Sequence, residues 1–533
     1  MKKTNLNILA WLPLICSLGL LVFLNLFYHD HWLDSDMAAE MIFSKELART
    51  GHFFATPDWY YSTEFRFLYT HWIMGPLFHV FSSWKTIRII TNFVTYALML
   101  FSYFFFMSPF KVKRELVAAS GSLLLLPFSE TMMTHMVMGN TYMFHVIIAF
   151  LFMGCFFRLT AAGKGKKRYV LGPYLLLAVI CGVSGVRYLL ALQCPLLLAG
   201  FLGLLGSPEM AAFRETCTAD NWRSGIKNLG HAISLKYFLF ALLGLVASVF
   251  GYGINIFYVC RHYVFQTYEA TNFIAIYQGV FLERLQNCLG SLIMLFGYIP
   301  DKGMISLRGL ISVIAFVLIA LWGYCSVWVQ KREKGQRGML SLFYWTALFL
   351  NVFVFVFSTS TMVPRYFLTI YIFLLPLLCF YLEKEEHFLD RFVVTTILVL
   401  CMLFATGKVT LSFITVDKNA EKRPVAEFLA QQNHTFGYAT YWNANIMTEL
   451  TDGKVEVANV GDAKSLEFFQ WSSPKKYYAE HREGSVFLLL TQEEYEEAVD
   501  APTVKAGELI YEDGHYVVLN YQDGEKLFEA VKE

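Results

Sequence analysis

The chain has 533 residues, 43 Lys and Arg against 42 Asp and Glu, a net charge of +1, and only 16% charged beside 56% hydrophobic residues. Soluble domains carry roughly 25% charged residues, so this composition excludes an ordinary soluble protein, and the near-neutral charge excludes a polyanion such as nucleic acid as partner. The 10 cysteines are scattered, mostly within apolar runs and without Cys-x-x-Cys or Cys/His spacing, and read as small buried residues rather than disulfides or zinc ligands.

A bilayer span takes about 20 mainly apolar residues. Runs of that kind lie at 7–28, 84–107, 115–130, 139–159, 169–185, 187–205, 235–256, 306–329, 339–358, 365–382 and 391–412, eleven in all. The first is long and lacks a small-x-small cleavage site before Tyr28, so it reads as a span and not a cleaved signal peptide. Lys111, Lys113 and Arg114 follow the second run, Lys164, Lys166, Lys167 and Arg168 the fourth, and Lys331, Arg332, Lys334 and Arg337 the eighth. The alternate loops 131–138 and 359–364 carry neither Lys nor Arg. The positive-inside bias then places the N-terminus in the cytoplasm and the chain in the plasma membrane. Segments 29–83 and 257–305 and the tail fall on the outer face.

The expected fold is a multi-pass α-helical membrane domain, 1–412, followed by an extracytoplasmic α/β domain, 413–533. Within the first outer segment, 37–50 reads as an amphipathic helix ended by Gly51 at its C-cap and lying on the membrane surface. Segment 257–305 holds a half-inserted piece near 289–296. In the tail, 424–431, 445–450 and 492–499 read as helices, 435–440, 455–460 and 485–490 as strands, and 508–511 with 516–520 as a hairpin about Asp513-Gly514. Tyr441-Trp442-Asn443-Ala-Asn445 with Glu449 is polar and aromatic, as sugar-stacking sites often are, while the favoured reading of Trp442 is core packing of this domain.

Carboxylates at the bilayer edge are costly and mark function. Asp34-Ser35-Asp36 sets two of them two residues apart, on one side of the chain if the stretch is extended. They suit a shared divalent cation or a general base. Asp36 is equally placed to cap the helix that follows. Arg187 and Arg365 stand at the outer ends of the sixth and tenth runs, and Arg261 and Arg284 lie in the middle outer segment. A guanidinium stays charged and binds phosphate in a bidentate manner; the alternative for each is an interfacial anchor. His71, His135 and Glu130 are also near the outer face.

The stretch from Asp36 through Glu40, Arg49 and Gly51 to Pro57, with Tyr69-Thr-His71-Trp-Ile-Met-Gly75-Pro76-Leu77, resembles the first outer loop and second-span entry of the GT-C membrane glycosyltransferases, the superfamily of protein mannosyltransferases and aminoarabinose transferases. Arg365-Tyr366 resembles the Arg-Tyr opening of a late span there. The resemblance covers about 1–410 in layout and 34–80 in motif. It implies transfer of a sugar from a polyprenyl-phosphate donor to a cell-envelope glycan, lipid or protein acceptor, with inversion. It implies Asp36 as base; beside it Asp34 is a second catalytic candidate, Arg187, Arg365, Arg261 and Arg284 are candidates for the donor phosphate, and Glu40, His71 and Tyr366 for substrate contacts. The chain departs from the family's frequent Asp-Glu pair, because Met37 follows Asp36. A transporter or flippase of a lipid-linked glycan is the alternative; that class places ionisable residues deep within spans, whereas the charges here gather at one face.

Overall fold

The structure is a computed structural model describing residues 11–139, 141–161, 167–216, 232–266, 272–276, 279–299 and 306–532. Each of the eleven apolar runs contains a helix, because the backbone of an apolar segment can satisfy its own hydrogen bonds only that way in lipid. Seven helices among the described residues are long and apolar enough to cross a membrane, or up to nine if each of two bent pairs makes one span. Length and composition of the described residues thus do not confirm the expected count of eleven. Leu12–Tyr28 and Arg168–Val183 are shorter, and Arg114–Leu125 turns by 93° into Glu130–Met138, so the expected outer loop at 131–138 is itself helical. The chain is a multi-pass membrane protein.

Met143–Ala161 and Pro364–Lys384 are almost wholly buried and form the middle of the bundle, where Phe150 packs on Phe373 with ring centres 5.9 Å apart. Lipid tails are as apolar as leucine, so helices associate by close packing rather than by hydrophobic burial. Lys167–Val183 and Ile233–Ile254 touch backbone to backbone: a Cβ at Gly182 would stand 1.8 Å from the Ser248 carbonyl oxygen.

After the last apolar helix, Phe388–Thr415, the tail forms a five-stranded mixed sheet in the order Glu456–Val460, Phe436–Thr440, Val486–Thr491, Tyr516–Tyr521, Glu508–Glu512. The first three strands are parallel and the last two antiparallel, matching the expected strands and hairpin. Helices cover the sheet, and Lys422–Gln431 and Tyr441–Leu450 fall where the apolar blocks predicted them.

The tail is joined to the membrane helices in two ways. A small sheet takes one strand from each outer segment and one from the tail: Trp59–Tyr61 pairs with Val264–Phe265 on one side and Ser473–Pro474 on the other. Arg88 also donates two 2.6 Å hydrogen bonds to the Glu449 carboxylate. Both side chains are nearly inaccessible, 3% and 7% exposed. The helix expected on the membrane surface is instead Ser35–Thr50, mostly buried, packed between Tyr441–Leu450 and His71–Leu77. The piece expected near 289–296 is the second half of a Phe281–Leu295 helix.

Candidate active site

The start of the Ser35–Thr50 helix decides which carboxylate is free. Asp34 has extended backbone, and its side chain accepts the Met37 N–H at 2.9 Å. It is therefore the N-cap, two residues earlier than the alternative that assigned capping to Asp36. Asp36, inside the first turn, turns into a cavity of 420 Å³. The two carboxylates do not share one opening, because Asp34 lines neither of the site's two cavities. Burial, and next the charge of Asp36, push the Asp34 carboxyl up to about 6.

Asp36 Oδ1 accepts the Tyr441 phenol O–H at 2.6 Å. Beside it runs a chain of alternating charge. Arg66 donates to Glu40 and lies 3.7 Å from Glu64; Arg187 donates to Glu64 at 2.8 Å and to the Tyr142 hydroxyl at 2.6 Å. Burial alone would raise the Glu64 carboxyl, but Arg187, His145 and Arg66 pull it down to about 2. Burial raises the Glu40 carboxyl against the opposing pull of Arg66. Arg365 differs: among the described residues no carboxylate lies within ion-pair distance of it.

A second cavity of 760 Å³ adjoins the first. The two share Thr63, Glu64, Tyr142, Arg187, Arg365 and Tyr366. Beyond that junction the second runs between span helices, along Leu190, Ala191, Leu350, Val354 and Phe355. The first chamber mixes charged and aromatic walls from the 29–83 segment and the tail, the second has a more apolar wall between span helices, and arginines stand where they meet.

Of the residues singled out in the sequence, Asp36, Glu40, His71, Arg187, Arg365 and Tyr366 line the first cavity. His71 is a buried ring set edge-on to Phe43 at 5.3 Å, its pKa driven to about 3 by burial and secondarily by Arg66. Arg261 lies outside both cavities, over the Phe257 ring at 5.8 Å. Arg284 also lies outside and donates to the carbonyls of Phe355, at 3.0 Å, and Ser360, bracing the loop that edges the second cavity. His135 joins the cavity but Glu130 does not. Among the described residues no group of three or more His, Cys, Asp or Glu is arranged to hold a metal ion.

Sequence reasoning missed Glu64, Arg66 and Tyr142, and it noted Tyr441 only as part of an aromatic, sugar-stacking-like stretch. The Glu64-Phe-Arg66 triplet, an ion pair at alternate positions of an outer loop, was the one local signal. Trp442, expected in the tail core, is 61% exposed and lines the first cavity.

Apolar helices, a first polar segment that presents a carboxylate, and a tail closing over it agree with the GT-C-like fold expected from the sequence. The chain superimposes on the crystal structure of apo ArnT from Cupriavidus metallidurans with a TM-score of 0.53 at 11% identity, covering 95% of this chain and 97% of that one. The structure of the same ArnT bound to undecaprenyl phosphate gives 0.50 at 11% identity, with 96% and 97% covered. No family model matches the sequence, and no curated protein matches it.

Proposed function

We propose that this protein is an integral-membrane glycosyltransferase that moves a sugar from a polyprenyl-phosphate donor to an acceptor hydroxyl on the outer face of the membrane, inverting the anomeric centre. The observation that carries the reading is the junction of the two cavities, where Asp36 and the arginines Arg187 and Arg365 border one space that continues into a slot walled on one side by Leu190, Ala191, Leu350, Val354 and Phe355. A polyprenyl chain suits the slot and its phosphate the arginines. The likeness to an ArnT crystallised with undecaprenyl phosphate supports the same donor class.

The chemistry follows from the charges. Asp36 Oδ2 accepts the proton of the acceptor hydroxyl as its oxygen bonds to the anomeric carbon. The carbon–oxygen bond to phosphate breaks, and its electron pair leaves on the polyprenyl phosphate. Arg187 and Arg365 stabilise that developing charge, a role for which bidentate guanidinium contacts are strong. A general base of this kind contributes about 10²- to 10⁴-fold. One displacement inverts the centre.

The basic loops 111–114, 164–168 and 331–337 support a cytoplasmic N-terminus and an extracytoplasmic site. Domain 413–533 then faces the cell envelope and borders the reaction space of domain 1–412, whose acceptor is an envelope glycan, lipid or protein. Purified protein incubated with radiolabelled polyprenyl-phosphate sugars tests the reading. Transfer with an inverted anomeric configuration, assigned by NMR of the product, is expected. A retained configuration, or no transfer from any donor, overturns it.

A further inference from the structure

The tail contributes more than Tyr441 to the first cavity. Trp442 follows it directly, with the two rings 5.2 Å apart and edge to face. Phe469 stands edge-on to Tyr441 at 5.7 Å and is stacked on Trp471 at 5.8 Å with only 7° between the ring planes. Trp442, Phe469 and Trp471 all line the cavity. Exposing so much aromatic surface is costly unless something covers it.

The loop that carries Phe469 and Trp471 is built to hold its shape. Asn459, fully buried, donates its side-chain amide to the Trp471 carbonyl at 2.9 Å and accepts the Phe469 N–H on its backbone oxygen at 3.0 Å. Tyr478 donates to the Phe469 carbonyl at 3.2 Å. Ser472, also on the cavity wall, has a φ of +47°. A serine held in the left-handed region costs of order 1 kcal/mol and persists where its surroundings impose it.

The lining chemistry selects the occupant. Every tail residue on the cavity wall is uncharged, and Thr440 and Ser472 add hydroxyls beside the rings. A phosphorylated headgroup requires cations there. A neutral sugar ring presents C–H faces to aromatic planes and hydroxyls to its rim, which is what this surface matches. The shelf is continuous with Asp36 through Tyr441.

We infer that Trp442, Phe469 and Trp471 form an acceptor subsite that takes a neutral pyranose of a glycan chain, so that one of its hydroxyls reaches Asp36. The inference rests on the transferase reading above and assigns its acceptor class: a glycan rather than a protein or a phosphorylated lipid headgroup.

The test is binding, read without donor or turnover. Full-length protein in nanodiscs is titrated with maltotetraose, cellotetraose, an α-linked mannotetraose and a serine- and threonine-containing decapeptide, using saturation-transfer NMR. The expected result is saturation of pyranose C–H protons in at least one tetrasaccharide, with affinity about tenfold weaker in Trp442→Ala and in Trp471→Ala. Undecaprenyl-phosphate binding should be unchanged in both variants. Since Trp442 is exposed, its truncation should leave thermal unfolding where it was. Failure of wild type to bind any tetrasaccharide, unchanged affinity in both variants, or binding of the peptide alone overturns the inference. A bound glycan that is never glycosylated leaves the subsite standing and removes the transferase reading. Transfer by Trp442→Ala and Trp471→Ala with unchanged acceptor KM does the reverse.

Discussion

Tyr441 donates its phenolic hydrogen to Asp36 from 405 positions further along the chain, so the tail holds one oxygen of the carboxylate that opens the first outer segment. Ser35 completes the clasp by donating to the Tyr441 carbonyl. Among the described residues Asp36 Oδ2 has no protein hydrogen bond. Tyr441→Phe keeps the ring and removes the donor. It should lower kcat about tenfold with donor KM unchanged, because only the orientation of the base is lost. Steady-state kinetics with varied donor separates the two constants.

The two arginines should respond differently. Arg365 has no carboxylate partner among the described residues, so Arg365→Ala should weaken undecaprenyl-phosphate binding with little change in thermal stability. Arg187→Ala should weaken binding and also cost about 3 kcal/mol, because Glu64 is left partly buried without its main counter-charge. Binding isotherms and thermal unfolding of the two variants in one detergent check the contrast.

Arg88 and Glu449 fasten the tail to the bundle. Breaking one side strands a buried charge, so Glu449→Ala should cost about 3 kcal/mol and open the tail to limited proteolysis. The double variant Arg88→Met/Glu449→Leu should lose less than the sum of the single losses, since neither charge is then orphaned. A double-mutant cycle on unfolding midpoints measures the difference.

Asp34 supplies a pH signature. Burial and the charge of Asp36 raise its folded-state pKa to about 6, above the ordinary aspartate range, so the folded protein binds the extra proton in that window. Stability from this group is present below about pH 4 and declines as pH rises through 6, by about 3 kcal/mol. Asparagine caps helices as well as aspartate does. Asp34→Asn should therefore unfold at a higher temperature than wild type at pH 7.5 and at the same temperature at pH 4. The opposite trend belongs to Glu64, whose contribution is present above about pH 4.5 and fades only toward pH 2.

The elements written in local pattern were legible. Long apolar runs announce helices, β-branched blocks announced the tail strands, and Gly51, at φ +71°, ends its helix as its position predicted. The bend at 126–129 and the shortness of Leu12–Tyr28 are matters of length and angle that hydropathy does not encode. Asp34 took the cap from Asp36 by a shift of helical register that spacing alone leaves open. Trp442 looked like core because a tryptophan in a small domain usually is; its exposure depends on where the membrane domain ends. Glu64 went unnoticed because its partner Arg187 is 123 positions away. Folding brings such residues together, and only the Glu64-Phe-Arg66 triplet hints at them locally.

The central claim is that Asp36 takes the acceptor proton, and sugar transfer by purified Asp36→Asn protein measures it most directly. With a radiolabelled polyprenyl-phosphate sugar that wild type uses, Asp36→Asn should lose at least about 10²-fold in kcat, keep its undecaprenyl-phosphate affinity and unfold at the wild-type temperature. Transfer at the wild-type rate by a well-folded Asp36→Asn protein would contradict the account and leave Asp36 a structural residue of the Ser35–Thr50 helix.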